Sequence, residues 1–342
     1  MTENVRHILV LAPNWLGDAA MCTPALRALH DRFPESAITV AGRAAVCQLL
    51  EGLPSVAKVI PIPAKSGPRE LARIGRTLAP HARDLCIVFP HSFRAALLAR
   101  FTGSRQRLAY ERGNRGILLT DTVAPHRENR RITPIFMARE YLELLAPLNC
   151  YNDFKGLELH APPEDLAAVR AQLTPGRPTV GFAPGAAFGP SKRWPAERFA
   201  AVANELAQRT RAQFLLLTGP GEEDTRNAFL KALTVPVIEP QASRPTVARL
   251  KAAIACVDLL IGNDSGPRHI AIAFKKPVIC IMGPTSPSYT ENPQERGEVL
   301  RIDVDCGPCQ KSHCVTGDHR CMMGVPVERA VTAALNCLKL SR

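Results

Sequence analysis

Seven short apolar runs recur along the chain, and each runs into a glycine, a proline or an asparagine. Most are followed by a stretch whose apolar residues recur at helical spacing. Their hydrophobicity is continuous rather than alternating, which indicates strands buried on both faces and therefore parallel sheets covered by helices. These runs predict an α/β fold of the doubly wound type, and they are HILVLAP, AITVAG, DLCIVFP, TVGFAPG, QFLLLTGP, DLLIGND and PVICIMGP.

The strand and helix pattern restarts in the middle of the chain, which indicates two domains. A chain of 342 residues also exceeds the size at which single cores usually stop growing. The segment ELHAPPEDLAAVRAQLTPGRP holds a helix flanked by prolines, so we place the junction there. We predict two Rossmann-like domains facing a central cleft, residues 1–165 and 166–325, and a C-terminal helix within 326–342 that could pack on either half, including back on the N-terminal domain.

Composition narrows the class of protein. Hydrophobic residues make up 46% and charged residues 22%, and no apolar run approaches the roughly 20 residues that span a bilayer, so we expect a cytosolic globular protein. The net charge of +12 favours anionic partners such as nucleic acid, phosphorylated metabolites or a membrane surface. Nine arginines lie between Arg94 and Arg131 with few aromatic residues, which favours phosphate contacts, although a solvated face without a partner gives the same pattern.

The first strand leads through NWLGD into a helix, and Asp18 lies at or near the start of that helix. One interpretation is a helix cap, because a carboxylate there accepts backbone N–H bonds and is favoured by the helix dipole. The other is a general base, because strand-to-helix turns point side chains toward ligands. The helix terminus stabilises the ionised carboxylate, so a basic role would need a desolvated pocket or a late proton transfer.

A glycine loop, PGAAFGPSKRWP, follows the first strand of the second half. Gly185 and Gly189 are four residues apart and Lys192 follows three later, which does not match a Walker loop, and no G-x-G-x-x-G follows the first strand of the chain. What is left is a loop of exposed N–H groups with Lys192 as a point charge, which suits a diphosphate that is bound rather than hydrolysed. A turn with a solvated lysine is the alternative.

A second loop, in DLLIGNDSGPRHIAIAF, strengthens the first interpretation. Ser265 and Gly266 open a helix whose free N–H groups would bind an anion. Asp264 could bind sugar or ribose hydroxyls, and His269 could reach a phosphate or a hydroxyl, although a lone histidine is more often structural. Two anion-binding loops at strand ends of one sheet favour a nucleotide diphosphate site.

A cysteine segment, VDCGPCQKSHCVTGDHRCMMG, lies near the C-terminus. The C-x2-C pair is a good chelating unit, and four thiolates could close a tetrahedral structural zinc site. An iron–sulfur cluster, a disulfide or redox pair, and plain reduced thiols are the alternatives. The candidate ligands are Cys306, Cys309, Cys314 and Cys321.

Three motifs, in this order over nearly the whole chain, resemble the ADP-heptose:lipopolysaccharide heptosyltransferases of glycosyltransferase family 9, specifically the heptosyltransferase II branch. They are NWLGDAAMCTPALRAL, PGAAFGPSKRWP, and NDSGPRHIAIAF followed by IMGPTSP. The resemblance implies a GT-B fold with an ADP-sugar donor in the C-terminal domain. It also implies inverting transfer of heptose from ADP-L-glycero-D-manno-heptose to an inner-core heptose on a lipid-anchored acceptor held by the N-terminal domain.

The same resemblance implies residue roles. Asp18 would be the base that activates the acceptor hydroxyl, and Lys192 would bind the diphosphate and stabilise the departing ADP. Arg268 stands where relatives tend to carry an apolar residue, and its target is open. The donor site would comprise Gly185, Ser191, Lys192, Asp264, Ser265, Gly266 and His269, and the acceptor site would comprise Asn14, Arg94 and Arg112.

This mechanism requires no cofactor, because a lysine and a helix N-terminus can stabilise the leaving group in place of a metal. The expected partners are an ADP-sugar, an anionic lipid-linked core oligosaccharide and, by peripheral contact, the cytoplasmic face of the inner membrane. No nucleic acid is expected. Two other functions stay open: a related GT-B transferase that uses another nucleotide sugar and, in a different class, a basic nucleic-acid-binding protein with a zinc module.

Overall fold

The fold is described from a computed structural model, which describes residues 5–129, 131–240 and 245–340. It divides into two compact units, residues 1–160 and 161–342. Arg130, one of the nine arginines of the basic segment, lies outside the described residues. None of the helices in the described part of the chain is long and apolar enough to cross a membrane.

The first unit contains a six-stranded sheet in the order β3-β2-β1-β4-β5-β6, in which all neighbouring strands are parallel. The chain builds β2 and β3 on one side of β1 and then returns to build β4 to β6 on the other, so the topological switch point lies between β1 and β4. The strands are β1 (His7–Leu11), β2 (Ala37–Gly42), β3 (Lys58–Pro61), β4 (Leu85–Val88), β5 (Gln106–Tyr110) and β6 (Asp121–Val123), and a separate antiparallel pair is formed by β7 (Arg127–Glu128) and β8 (Arg131–Ile132).

Helices follow these strands and bury one face against the sheet. In α4, for example, Leu71, Ile74 and Leu78 are spaced three and four residues apart and are buried, whereas Arg73 and Arg76 are exposed. The helices of this unit are α1 (Leu16–Met21), α2 (Thr23–Arg32), α3 (Ala44–Leu50), α4 (Pro68–Leu78), α5 (Phe93–Phe101) and α6 (Met137–Leu144).

The second unit repeats this plan around a five-stranded parallel sheet in the order β10-β9-β11-β12-β13, so its switch point lies between β9 and β11. Its strands are β9 (Thr179–Ala183), β10 (Gln213–Leu216), β11 (Leu259–Asn263), β12 (Val278–Ile281) and β13 (Gly297–Leu300). Its helices are α7 (Pro163–Arg170), α8 (Ala196–Arg209), α9 (Glu223–Ala232), α10 (Val247–Ala255), α11 (Gly266–Ala273), α12 (Pro287–Thr290), α13 (Arg320–Met323) and α14 (Val327–Leu340).

All seven apolar runs form strands, which confirms the α/β prediction, and they are β1, β2, β4, β9, β10, β11 and β12. The sequence missed the peripheral strands β3 and β13, whose residues are mostly half-buried or exposed, as well as β5, which begins with two polar residues, and the three-residue strand β6. The C-terminal helix α14 packs on α8 and β13, and its Ala330, Val331 and Ala334 belong to the same buried cluster as Phe182 and Phe199. These contacts lie within the second unit.

Candidate functional site

The carboxyl edge of the second sheet brings together the two loops that the motifs predicted. The first loop, residues 184–195, follows β9, and the second, residues 264–269, follows the neighbouring strand β11. Asn263 at the end of β11 is buried and joins them: its Nδ2 donates to the carbonyl oxygen of Pro184 at 2.7 Å, and its Oδ1 accepts from the backbone N of Trp194 at 3.0 Å. One amide therefore holds both ends of the glycine loop against β11.

Lys192 lies directly against the second loop. Its Nζ donates to Oδ2 of Asp264 at 2.8 Å and to the backbone carbonyl oxygen of Asp264 at 3.0 Å. The Asp264 carboxylate is almost fully buried, and the hydroxyl of Thr285, from the turn after β12, donates to the same Oδ2 at 2.7 Å. Because an ammonium has three donors, Asp264 takes two and leaves one for a ligand.

Arg268 finds its target within the same cluster. Its side chain is buried, and its Nη1 donates to Oδ1 of Asp264 at 2.8 Å while Nε and Nη2 donate to the two carboxylate oxygens of Glu295 at 2.8 and 2.6 Å. Burial raises the pKa of Asp264, but the charge of Lys192 and then that of Arg268 more than offset this, so the pKa falls well below its usual range. The charges thus alternate and balance from Lys192 to Glu295.

Two buried polar atoms beside this network lack a hydrogen-bond partner among the described residues: Oγ of Ser265 and Nδ1 of His269. Ser265 precedes α11 and Gly266 is its first residue, so both stand at the positive end of the helix. Burial, followed by the charge of Arg268, lowers the pKa of His269 to about 3, so its imidazole is neutral at pH 7. Buried polar atoms are costly when unpaired, and these two therefore point to a ligand.

In the first unit, Asp18 lies in the first turn of α1, just after β1. The residue that precedes the helix is Trp15, whose side chain makes no capping hydrogen bond. Asp18 is half-buried. Burial of Tyr141 raises the pKa of its phenol, and the nearby charge of Asp18 raises it further. The ring of Tyr141 lies 4.7 Å from that of Phe89, which follows β4. Asp18 is therefore near the switch point of this sheet, on the edge where ligands bind in such folds.

The three predicted acceptor residues separate into two groups. Asn14 and Arg94 line one cavity at the carboxyl edge of the first sheet. Arg112 pairs instead with Glu140, because its Nη2 donates to Oε1 at 2.9 Å. The Glu140 carboxylate is nearly inaccessible to solvent, and its Oε1 also lies 2.9 Å from Nε2 of His91. Arg112 is thus neutralised within the protein, whereas Arg94 faces the cavity.

Comparison with known proteins identifies the family. Residues 71–319 match the sequence profile of glycosyltransferase family 9 (heptosyltransferase). The chain belongs to glycosyltransferase family 9. It is 30% identical to lipopolysaccharide heptosyltransferase 2 of Escherichia coli (strain K12), over 97% of this chain and 98% of that protein. It is 29% identical to lipopolysaccharide heptosyltransferase 2 of Salmonella typhimurium (strain LT2), over 95% of this chain and 96% of that protein.

The fold agrees with this assignment. The solved structure of the Escherichia coli ADP-heptose lipopolysaccharide heptosyltransferase II matches with a TM-score of 0.81 and 26% identity, over 98% of this chain and 99% of that one. The resemblance, the GT-B fold with two Rossmann-like domains and the assignment as a glycosyltransferase are confirmed. The roles of individual residues stay predictions.

Glu222 lies beside the glycine loop, and the motifs did not reveal it. It follows β10, and its carboxylate lies so close to Gly185 that an added Cβ there would be 1.9 Å from Oε1, so a larger residue at this position would displace the side chain of Glu222. Burial raises the pKa of Glu222, although a hydrogen bond from the backbone N of Gly219 opposes the shift. A carboxylate in this position can accept hydrogen bonds from the hydroxyl groups of a ribose or a sugar. The Gly-Pro-Gly turn that ends β10 was the available signal.

The cysteine segment supports the glycine loop of this glycosyltransferase. The hydroxyl of Ser191 donates to the carbonyl oxygen of Lys311 at 2.6 Å, and the backbone N of Ser191 donates to that of Ser312 at 3.1 Å. Gly189 has a φ of 151°, and a Cβ there would lie 2.4 Å from the same Ser312 oxygen. Ser191 was predicted to bind the donor, and in this structure its hydroxyl hydrogen is engaged by the protein itself.

The four cysteines of the segment are half-buried thiols without disulfide bonds. After burial, the nearby thiols of Cys306, Cys314 and Cys309 raise the pKa of Cys321, so the four lie near one another. However, within the described ranges no three His, Cys, Asp or Glu side chains are arranged to hold a metal ion. The structural metal site therefore stays a prediction from spacing.

Proposed function

We propose that this family 9 enzyme transfers heptose from ADP-L-glycero-D-manno-heptose to an inner-core heptose of lipopolysaccharide. The similar proteins of Escherichia coli and Salmonella are lipopolysaccharide heptosyltransferases 2, and the similar solved structure from Escherichia coli is that of an ADP-heptose lipopolysaccharide heptosyltransferase II. The observation that carries the proposal is the cluster at the second switch point, where Lys192 meets the start of α11 beside two buried polar atoms, Oγ of Ser265 and Nδ1 of His269, that lack a partner among the described residues.

On the donor side, the diphosphate would take the third donor of Lys192, the hydroxyl of Ser265 and the positive end of α11. His269, neutral at pH 7, would donate to or accept from a phosphate or hydroxyl through Nδ1. Asp264 and Glu222 would accept hydroxyl hydrogens of the donor, and Gly185 gives the carboxylate of Glu222 the space to approach. These groups are fixed before the donor arrives, so they stabilise the charge of the departing ADP without reorganisation.

On the acceptor side, Asp18 would accept the proton of the acceptor hydroxyl. The hydroxyl oxygen forms a bond with the anomeric carbon of the heptose from the face opposite the diphosphate, the carbon–phosphate oxygen bond breaks, and ADP carries away the electron pair. The configuration at the anomeric carbon is therefore inverted. This chemistry uses a base and anion-stabilising groups and routes no step through a metal. Asn14, Arg94 and Arg112 would position the acceptor.

The acceptor is anchored in a lipid, so we also propose that the enzyme works at the cytoplasmic face of the inner membrane by peripheral contact. Sedimentation with anionic vesicles tests this part, and an absence of binding at low salt would overturn it. For the cysteine segment we propose a structural zinc, since four thiolates suit that ion. Metal analysis of protein purified under reducing conditions should find close to one zinc per chain; iron in its place or no metal would refute it.

The deciding experiment measures ADP release and product mass with ADP-heptose and a core acceptor that ends in the first inner-core heptose. We expect turnover with this pair, and none with the acceptor lacking that heptose. UDP-sugars and ADP-glucose serve as donor controls. Turnover with a UDP-sugar and none with ADP-heptose would instead support the related GT-B transferase, and the proposed donor would be wrong.

A further inference from the structure

Residues 301–319, between β13 and α13, contain no helix or strand, and the structure describes all of them. Stretches of this length without regular structure are uncommon in compact domains and usually have a function. This one overlaps the cysteine segment. Its residues 310–312, which we call the supporting segment, form hydrogen bonds next to Lys192 and next to the group that orients Asp264.

The supporting segment holds the chain beside Lys192. Ser191 is buried and immediately precedes the lysine. Its hydroxyl donates to the carbonyl oxygen of Lys311 at 2.6 Å, and its backbone N donates to the carbonyl oxygen of Ser312 at 3.1 Å. On the other side of the lysine, the backbone N of Trp194 is bonded to the end of β11. The backbone is therefore fixed on both sides of Lys192, and the supporting segment fixes one of them.

The same segment holds the chain beside the partner of Lys192. The backbone N of Gln310 donates to the carbonyl oxygen of Pro284 at 2.9 Å, in the turn after β12. The next residue, Thr285, donates its hydroxyl to Oδ2 of Asp264 at 2.7 Å. That oxygen also accepts from Nζ of Lys192 at 2.8 Å. The supporting segment thus braces the neighbours of both members of this ion pair.

The backbone conformation of Gln310 is unusual. Its φ is 56°, in the left-handed region that is unfavourable for a residue with a side chain. The side chain is exposed, so its packing does not explain this conformation. Backbone strain persists where the surroundings fix it, and the hydrogen bond from Gln310 to Pro284 does so here. With this conformation, three consecutive residues reach both Pro284 and Ser191.

We propose that the supporting segment is a positioning element of the donor site, which sets the place of Lys192 relative to Asp264. The inference rests on the proposed function, because the N–H group that it aims would meet the diphosphate of the donor. Ser191 then acts on the donor through Lys192 rather than by contact. The contacts involve backbone groups and the Ser191 hydroxyl, so they do not require an ion on the four thiols.

Two substitutions of one exposed residue test the proposal. Proline at position 310 has no N–H and a φ near −65°, so Gln310→Pro removes the bond to Pro284 and moves the supporting segment. Gln310→Gly is the matched control, because glycine keeps the N–H and adopts a positive φ readily. ADP is titrated into each protein by calorimetry. We expect a Kd about 10-fold higher for Gln310→Pro and within twofold of the wild type for Gln310→Gly.

Unchanged ADP affinity in Gln310→Pro would overturn the proposal. A lower unfolding temperature with unchanged affinity, measured well below that temperature, is the result expected of a role in stability alone, and it would overturn the proposal as well. So would an equal loss of affinity in Gln310→Gly, because the effect would then come from the side chain.

Ser191→Ala is a milder variant, which tests the same contact even if Gln310→Pro does not fold. It removes the bond to Lys311 and should raise the Kd for ADP about 3- to 10-fold. In the double variant the two effects should be less than multiplicative, because both act on one contact. Fully multiplicative effects would mean that Ser191 acts separately from the supporting segment, and that aspect of the proposal would be wrong.

Kinetics separate this inference from the proposed function. Gln310→Pro should raise the donor KM about 10-fold and leave the acceptor KM within twofold, since the proposed acceptor groups lie in the first unit. ADP binding that responds to Gln310→Pro, without heptose transfer by the wild type, would refute the proposed function alone. Heptose transfer with a donor KM and an ADP affinity that are insensitive to Gln310→Pro would refute the inference alone.

Discussion

The carboxyl edges of the two sheets handle charge in opposite ways. On the second sheet, Lys192, Asp264, Arg268 and Glu295 form a buried chain in which every charge has a counter-charge within the protein. On the first sheet, two arginines line a cavity whose walls contain no acidic residue. The charges of one edge are therefore balanced within the protein, whereas the arginines of the other edge are not balanced by the walls of their cavity.

This difference fits two different tasks. A group that leaves with developing negative charge is stabilised best by dipoles and cations that are already fixed in place, because no reorganisation is then needed during the reaction. A partner that must be selected is recognised best by charges that stay unsatisfied until the correct partner supplies the anion. The second edge thus suits the departing diphosphate, and the first suits an acidic acceptor.

The largest expected effect separates chemistry from donor binding. Asp18→Asn keeps the shape of the side chain but removes its basicity, so kcat should fall about 10²- to 10⁴-fold. ADP affinity, measured by calorimetry, should change by less than twofold, because the groups that we propose bind the donor lie on the second sheet. Near-normal turnover would return Asp18 to a role in stabilising the first turn of α1.

Lys192→Ala tests the second edge directly. The lysine would contact both the bound diphosphate and the departing ADP, so donor KM should rise and kcat should fall, with kcat/KM lower by about 10²-fold. Asp264 stays paired with Arg268 and Thr285, so the fold should survive. Lys231→Ala, at an exposed site in α9, is the control. An unchanged donor KM would remove Lys192 from the donor site.

Substitution of Arg268 tests whether the buried chain of charges that it completes affects donor binding. In Arg268→Leu, Lys192 becomes the sole cation paired with Asp264, so it should be drawn toward that carboxylate and the donor KM should rise about 10-fold. The same change strands Glu295, which is nearly buried, so the single variant should also be less stable. Arg268→Leu combined with Glu295→Gln should recover thermal stability and keep the raised KM. If the double variant recovered both the thermal stability and the donor KM of the wild type, the role of Arg268 would be purely structural.

The smallest expected effect concerns acid stability of the second edge. The pKa of His269 is lowered from 6.5 to about 3, so between these values the unfolded chain binds a proton that the folded chain does not. The stability contributed by neutral His269 is therefore fully present above pH 6.5 and is lost as the pH falls toward 3. Urea unfolding at pH 7 and pH 5 should show a smaller pH dependence for His269→Gln, whereas the exposed-site variant His160→Gln should match the wild type. Equal pH dependence in all three proteins would contradict this.

The sequence predicted the interior strands because burial on both faces leaves a continuous apolar run such as LLIGN in β11. It missed β5, whose QRLAY begins with polar residues, since such a strand has no distinctive period. Lys192 and Asp264 were found because both follow buried strands, and the structure places their charged atoms 2.8 Å apart. Neighbouring parallel strands end at the same edge of a sheet, and this rule was sufficient to predict that the two loops lie together.

The partners of these residues could not be predicted in the same way. Glu295 lies 27 residues beyond Arg268 and belongs to none of the motifs, so the target of Arg268 needed the tertiary structure. Arg112 looked like Arg94 in the sequence, and only the buried Glu140 distinguishes them. Local sequence indicates which side chains reach an edge, whereas the pairing of charges depends on distant segments.

The support of the glycine loop by the C-terminal part of the chain has a consequence for the order of folding. Ser191 bonds to a carbonyl group 120 residues downstream, and Nε1 of the neighbouring Trp194 donates to Val325, 131 residues downstream. Contacts of such long sequence separation form late, after a large loop has been closed. During synthesis, the glycine loop can therefore make these contacts only when residues as far as Val325 have left the ribosome.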